Sequence, residues 1–209
     1  MPRRGFHHKK SIQKNAYHLE GIGHYNDALR EALKGSDFGS GCDAGFVSGK
    51  PMLEGWVATN MMGSAYYPTN RGSYTSPEQM INYVEAHDNL TLYDKLLVTN
   101  PWDDENTRTR RHLLATSVIL LSQGIPILHA GQEFLRTKGG DENSYKSSDK
   151  VNHMDWSRRV EKADCVDYVA GLIKLRKANK LFHLPTVKSI KKHMNILKAD
   201  YQIIVYQVE

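Results

Sequence analysis

The segment from Ile81 to Asn89 contains the residue types best suited to chemistry. Its first part, Ile81 to Ala86, includes β-branched and aromatic residues and predicts a buried strand, which ends in His87, Asp88 and Asn89. His87 can donate or accept a hydrogen bond, and Asp88 offers two acceptor oxygens and a negative charge. Barrel enzymes carry their chemistry at the carboxyl ends of their strands. The alternative is a polar turn in which Asp88 caps the helix that is predicted from Asn89 to Leu96.

Short strands alternate with helices along most of the chain, which predicts a parallel α/β fold. Parallel strands are expected near residues 21–25, 81–86 and 125–129, with intervening helices on one side. Cap residues and apolar spacing predict helices at about 27–34, 51–62, 105–123 and 164–177. After Pro185 two antiparallel strands are predicted, at 195–199 and 202–208. The predicted division is therefore an α/β domain in residues 1–182 and the start of a β-domain in residues 183–209.

The composition excludes several classes of function. The chain has 209 residues, of which 40% are hydrophobic and 24% charged, as in an ordinary globular protein. Its net charge of +5 comes from basic residues that are spread along the chain and are not interleaved with aromatic residues, so no nucleic-acid partner is expected. The longest apolar run, Leu113 to Leu121, is too short to span a bilayer, and no secretory signal is visible. A cytoplasmic protein without a membrane partner is expected.

No cofactor or metal is expected either. Cys42 and Cys165 lie far apart and lack the spacing of metal ligands, which fits two unpaired thiols in a reducing compartment.

Several motifs together resemble a known enzyme family. The segment from Tyr83 to Lys95 resembles the fourth signature region of the α-amylase superfamily, glycoside hydrolase family 13. The sequences Gln-Gly-Ile-Pro at 123–126, Gly-Gln-Glu-Phe-Leu-Arg-Thr-Lys-Gly-Gly at 131–140 and Glu-Asn-Ser-Tyr at 142–145 narrow the resemblance to the type I pullulanases. The resemblance covers nearly the whole chain, from about Lys10 onward.

The resemblance implies a (β/α)8 barrel that hydrolyses α-1,6-glucosidic linkages in pullulan, glycogen or starch-derived glucans. In that family an aspartate nucleophile and a glutamate acid/base act with retention of configuration, which requires the two carboxylates to lie about 5 Å apart. Asp88 corresponds to the third family carboxylate, which stabilises the transition state. His87 corresponds to a histidine that binds the sugar, and Asn143 and Tyr145 correspond to substrate-binding residues near the cleft.

The chain departs from the family in one important respect. The motifs that carry the nucleophile and the acid/base are absent from these 209 residues. Leu-Glu-Gly-Trp at 53–56 superficially resembles the acid/base motif, but Glu54 is expected to lie in a helix and outside the site. The fold expected is therefore a partial barrel, about strands six to eight, followed by the beginning of a C-terminal antiparallel β-domain. The missing N-terminal half of the same enzyme is then an expected partner.

Three functions are consistent with these features. The first is part of a pullulanase that is inactive alone, and the second is a non-catalytic carbohydrate-binding remnant of the same fold. The third is a basic nucleic-acid-binding protein, which the motifs make remote.

Individual side chains outside the main motif leave alternatives open. His129, after the third predicted strand, either faces the cleft or is a satisfied core histidine. Trp102 and Trp156 either stack on sugar rings or pack within the core and loops. The polar segment from Gly131 to Asp155 is predicted to be a long loop, and loops of this length are usually functional.

Overall fold

A computed structural model of the chain describes residues 13–36, 43–63 and 74–209. Cys42 lies outside the described residues, whereas Cys165 is a buried free thiol. Within the described ranges, none of the helices has the length and apolar character needed to cross a membrane.

Three short strands form a parallel sheet. The strands, in spatial order, are β1 (His24–Tyr25), β2 (Met80–Asn82) and β3 (Ile125–Pro126). The three strands are parallel and adjacent, as predicted, but each strand is shorter than predicted. Gly21 has a left-handed φ of 74°, so the first segment begins as a turn. Pro126 has no N–H to donate, which limits the ladder between β2 and β3.

The helices begin and end at residues that satisfy their backbone groups. The Asn26 side chain accepts a hydrogen bond from Leu29 N at 3.1 Å at the start of the first helix, and Gly35, with φ 91°, ends it. The helices are α1 (Asp27–Lys34), α2 (Glu54–Met61), α3 (Leu92–Thr99), α4 (Glu105–Leu121), α5 (Asp149–Asn152), α6 (Trp156–Glu161), α7 (Ala163–Ala178) and α8 (Val187–His193).

Two predicted helix starts are wrong, and the predicted loop after β3 contains short helices. The helix predicted from Asn89 begins only at Leu92, because Asn89 has a left-handed φ of 61° that a right-handed helix cannot contain. The predicted helix at 51–62 begins at Glu54, after Met52 with φ 66°. The predicted loop at 131–155 contains three short helices, which are α5 and the 3-10 helices Gln132–Phe134 and Ser144–Lys146, and the rest of it is non-helical.

The C-terminal residues form the predicted antiparallel pair. Strands β4 (Met194–Asp200) and β5 (Ile203–Val208) are joined by Tyr201 and Gln202, which both have positive φ. Helix α8, which was not predicted, precedes the hairpin. Met194 belongs to the core formed by α1 to α4, and four partly buried residues of the hairpin pack against that core: Ile196, Ile204, Tyr206 and Val208. A domain division at residue 182 stays a prediction.

Candidate functional site

His87 and Asp88 lie beyond the carboxyl end of β2, and both are exposed. The one hydrogen bond to the Asp88 carboxylate within the described residues comes from its neighbour Asn89, at 3.2 Å. Helix α3 is capped instead by Thr91, whose hydroxyl oxygen accepts from Asp94 N at 3.1 Å. The alternative that Asp88 is a helix cap is therefore wrong, and its carboxylate is open to solvent.

A second carboxylate, that of Glu85, lies two residues before His87 and is fully buried. Its Oε1 is 3.1 Å from Nδ1 of His129, and its Oε2 accepts a hydrogen bond from Leu92 N. Burial alone would raise the pKa of Glu85. The hydrogen bond with His129, the nearby His112 and the Leu92 N–H together outweigh burial and lower that pKa below its ordinary value. Glu85 is therefore a buried anion that joins the ends of β2 and β3.

Sequence reasoning missed Glu85 as a site residue. The signal that could have revealed it is an acidic side chain inside a run predicted to be buried, since such a group needs specific partners. The same contact shows that His129 is not a fully satisfied core histidine, because only Nδ1 of its ring is hydrogen-bonded among the described residues, and 14% of its side chain is exposed.

Tyr83 connects the end of β2 to the start of α1. Its hydroxyl donates to Asp27 Oδ1 at 2.6 Å and accepts from Arg30 Nη1 at 2.7 Å. Burial, assisted by the hydrogen bond to Asp27 and by the charge of Asp88, raises the pKa of Tyr83 well above its ordinary value of 10.0, although the Arg30 charge opposes this. The Tyr83 hydroxyl therefore stays protonated, and the negative charge of Asp88 is one of the causes.

Polar contacts below this edge hold the strands and the His87–Asp88 segment in place. Asn26 Nδ2 donates to Asn82 Oδ1 at 2.9 Å, and Asn82 Nδ2 donates to Gln123 O at 2.7 Å. The buried Lys34 donates through Nζ to Leu90 O at 3.1 Å, so the segment that contains Asp88 is anchored to α1.

The loop after β3 contacts the start of α3. The buried carboxylate of Asp94 accepts hydrogen bonds from Thr137 Oγ1 and from Lys138 N, the latter at 2.8 Å. Lys138 Nζ in turn donates to Ser144 Oγ at 2.7 Å. Burial, together with the nearby Arg136 charge, lowers the pKa of Lys138.

Asn143 and Tyr145 flank Ser144 on this loop, and both are exposed. Within the described part of the chain, no hydrogen bond or ring contact joins either of them to His87 or Asp88. The structure therefore places all four predicted residues on surface segments that follow β2 and β3, but it brings only His87 and Asp88 together.

The remaining candidates have other roles. Glu54 is buried at the start of α2, where its carboxylate accepts from Gln202 N at 2.5 Å, so it is not placed as an acid/base. Trp102 is 92% exposed, which makes the packing interpretation wrong for this residue, whereas Trp156 lies 6.2 Å from Phe134 between ring centroids. In the ranges that the structure describes, no three or more His, Cys, Asp or Glu side chains are grouped to hold a metal ion.

Comparison with known proteins identifies relatives over almost the full length of the chain. No family model matches it. The pullulanase of Bacillus subtilis strain 168 is 39% identical over 202 residues, which are 97% of this chain and 28% of that protein. The structure of type I pullulanase from the same organism, complexed with maltose, superposes with a TM-score of 0.91 over 95% of this chain. This chain is a homologue of the type I pullulanases of glycoside hydrolase family 13.

A further pullulanase structure agrees with this assignment. A mutant of the Paenibacillus barengoltzii pullulanase, complexed with maltotetraose, is 42% identical with a TM-score of 0.91, and the match covers 96% of this chain and 31% of that one. The resemblance inferred from the sequence motifs is thus confirmed. The chain spans less than a third of the length of these relatives.

Proposed function

We propose that this chain supplies part of the active site of a debranching glycoside hydrolase of the pullulanase type. The proposed reaction is hydrolysis of α-1,6-glucosidic linkages in pullulan, glycogen or starch-derived glucans, with retention of configuration. The observation that supports it best is the exposed His87–Asp88 pair at the carboxyl edge of a parallel sheet, in a chain homologous to pullulanases. Pullulanase structures complexed with maltotetraose and with maltose are consistent with an α-glucan as the partner.

Asp88 is the proposed stabiliser of the transition state. The anomeric carbon gains positive charge as the glycosidic bond breaks, and a carboxylate that is already in place stabilises that charge. His87 binds a hydroxyl of the same sugar, and Asn143 and Tyr145 contact the glucan from the loop after β3. Among the described residues only Asn89 donates a hydrogen bond to Asp88, which leaves the Asp88 oxygens available for this role.

The nucleophile and the acid/base are proposed to come from a part of the enzyme outside these 209 residues. In this arrangement β1, β2 and β3 are strands six to eight of a (β/α)8 barrel, and residues 183–209 open a C-terminal β-domain. Exposed apolar side chains on the edge strands support it, since the remaining strands of a barrel would cover them: Tyr25 is 54% and Ile125 45% exposed. The isolated chain is therefore proposed to be inactive.

The test is an activity assay on pullulan with two proteins. The purified 209-residue chain is expected to release no reducing sugar. A chimera, in which this chain replaces the matching segment of the Bacillus subtilis pullulanase, is expected to hydrolyse pullulan. Hydrolysis by the isolated chain that is lost on Asp88→Ala would contradict the assignment of the nucleophile. A correctly folded chimera that binds maltotetraose without cleaving pullulan would favour a carbohydrate-binding remnant instead.

A further inference from the structure

Glu85 contacts one nitrogen of the His129 ring, Nδ1, and leaves the other, Nε2, available for a further hydrogen bond. Glu85 is ionised and fully buried, and an ionised carboxylate can only accept hydrogen bonds. The 3.1 Å contact from Glu85 Oε1 to Nδ1 therefore requires a proton on Nδ1, as in the Nδ1–H tautomer of the imidazole. In that tautomer Nε2 carries a lone pair and is a hydrogen-bond acceptor.

The Nε2 atom has no hydrogen-bond partner among the described residues, and it is not one of the buried polar atoms left unsatisfied there. It is therefore accessible to solvent. The rest of His129 is held firmly, because its backbone N–H donates to Gln132 Oε1 at 3.3 Å and its ring is fixed by Glu85. A histidine that had only a packing role would not need one ring nitrogen fixed by a buried anion and the other left open.

His129 also lies at the carboxyl edge of the parallel sheet, as Asp88 does. It follows β3 by three residues, and Asp88 follows the neighbouring parallel strand β2. The carboxyl ends of adjacent parallel strands meet at one edge, where ligands of α/β proteins bind.

We propose that His129 is a glucan-binding residue whose Nε2 accepts a hydrogen bond from a sugar hydroxyl, and that Glu85 is the positioning residue that sets its tautomer and orientation. This inference rests on the proposed function, to which it adds a further glucan-binding side chain. The Glu85 carboxylate also holds the segment that contains His87 and Asp88. Its Oε2 accepts a hydrogen bond from Leu92 N, which lies just after that segment.

Two substitutions separate the binding role from the structural one. His129→Asn keeps a side-chain N–H where Nδ1 lies, so the contact with Glu85 is retained, but it removes the acceptor at the position of Nε2. Glu85→Gln keeps the shape of the side chain and removes the charge that selects the tautomer. His183→Ala is the matched control, because His183 is exposed and follows the distant 3-10 helix Lys180–Phe182. Circular dichroism of each variant verifies its fold.

The experiment is a titration with maltotriose of the chimera with the Bacillus subtilis pullulanase and of its variants, observed by NMR of ¹⁵N-labelled histidine. Without sugar, the His129 signals are expected to show the tautomer with the proton on Nδ1, and Glu85→Gln is expected to increase the other tautomer. Maltotriose is expected to shift the Nε2 signal of His129 and the ring signals of His87, and to leave His183 unchanged. His129→Asn is expected to weaken binding by about three- to tenfold, as for a single neutral hydrogen bond, and His183→Ala is expected to have no effect.

The outcomes distinguish the two proposals. If His87 responds to maltotriose while His129 does not, or if His129→Asn binds as tightly as the parent, His129 is a structural residue and only the present inference is wrong. If neither His87 nor His129 of the chimera responds, the glucan-binding proposal and the role of His129 are both contradicted. An unchanged tautomer in Glu85→Gln would show that Glu85 does not position His129.

Discussion

The carboxyl edge of the parallel sheet and the C-terminal hairpin are built on opposite principles. At the edge, buried charged and polar groups hold the backbone, such as Glu85 on Leu92 N and Lys34 on Leu90 O. In the hairpin, apolar side chains such as Met194 and Ile196 pack against the core. Buried polar contacts at the sheet edge therefore fix the positions of a few exposed groups, whereas the hairpin contributes stability through apolar burial. Substitutions in the two regions should accordingly affect different measured quantities.

The largest expected effect is in the hairpin, on the free energy of unfolding. Met194→Ala removes a fully buried side chain and should lower that free energy by about 2–5 kcal/mol, because of lost burial and a remaining cavity. Chemical denaturation of the 209-residue chain measures it. Leu197→Ala, on the same strand but at a 62% exposed position, should change it by about 0.5 kcal/mol or less. Equal losses for both variants would contradict this account of the hairpin.

At the edge, Asp88→Asn should reduce turnover rather than stability. In the chimera with the Bacillus subtilis pullulanase, kcat on pullulan should fall by about 100-fold or more, which is about 3 kcal/mol, with a much smaller change in KM. The reason is that the carboxylate interacts most strongly with a sugar that is gaining positive charge. A kcat within about threefold of the parent chimera would show that Asp88 is not the transition-state stabiliser.

A second pair of substitutions separates helix capping from function within the short segment from Asp88 to Thr91. Thr91→Ala removes the side-chain oxygen that caps α3 and should lower the free energy of unfolding by about 1 kcal/mol. Asp88→Ala should change it by about 0.5 kcal/mol or less, since the carboxylate is exposed and caps no helix. Thermal and urea unfolding of both variants measures the difference, and a larger loss for Asp88→Ala would restore the capping interpretation.

The smallest expected effect on catalysis is that of His87→Ala in the same chimera. A neutral hydrogen bond to a sugar hydroxyl changes less than a charge contact during the reaction, so kcat/KM should fall by about tenfold or less, equivalent to about 1 kcal/mol. Steady-state kinetics on pullulan measure the loss, with Asp88→Asn assayed in parallel. A loss larger than that of Asp88→Asn would reverse the proposed ranking of the two residues.

Local signals predicted much of the fold. Asn26 and Gly35 mark the ends of α1, as expected of residues that act within one turn of a helix. The antiparallel hairpin was also predicted, because its alternation and turn lie within a short stretch. The strand lengths were not, since pairing depends on partners 40 or more residues away, as in Ile81 with Ile125.

The sequence by itself determined the family, the three parallel strands in their order and the identity of Asp88 and His87 as candidates, because motifs and periodicity are local properties. Only the tertiary structure decided which carboxylates are open and which are buried. Glu85 and Asp88 are three residues apart and chemically alike, yet one is enclosed by His129 and Leu92 N and the other faces solvent. That difference arises because His129, 44 positions along the chain from Glu85, is brought beside it by the pairing of β2 with β3.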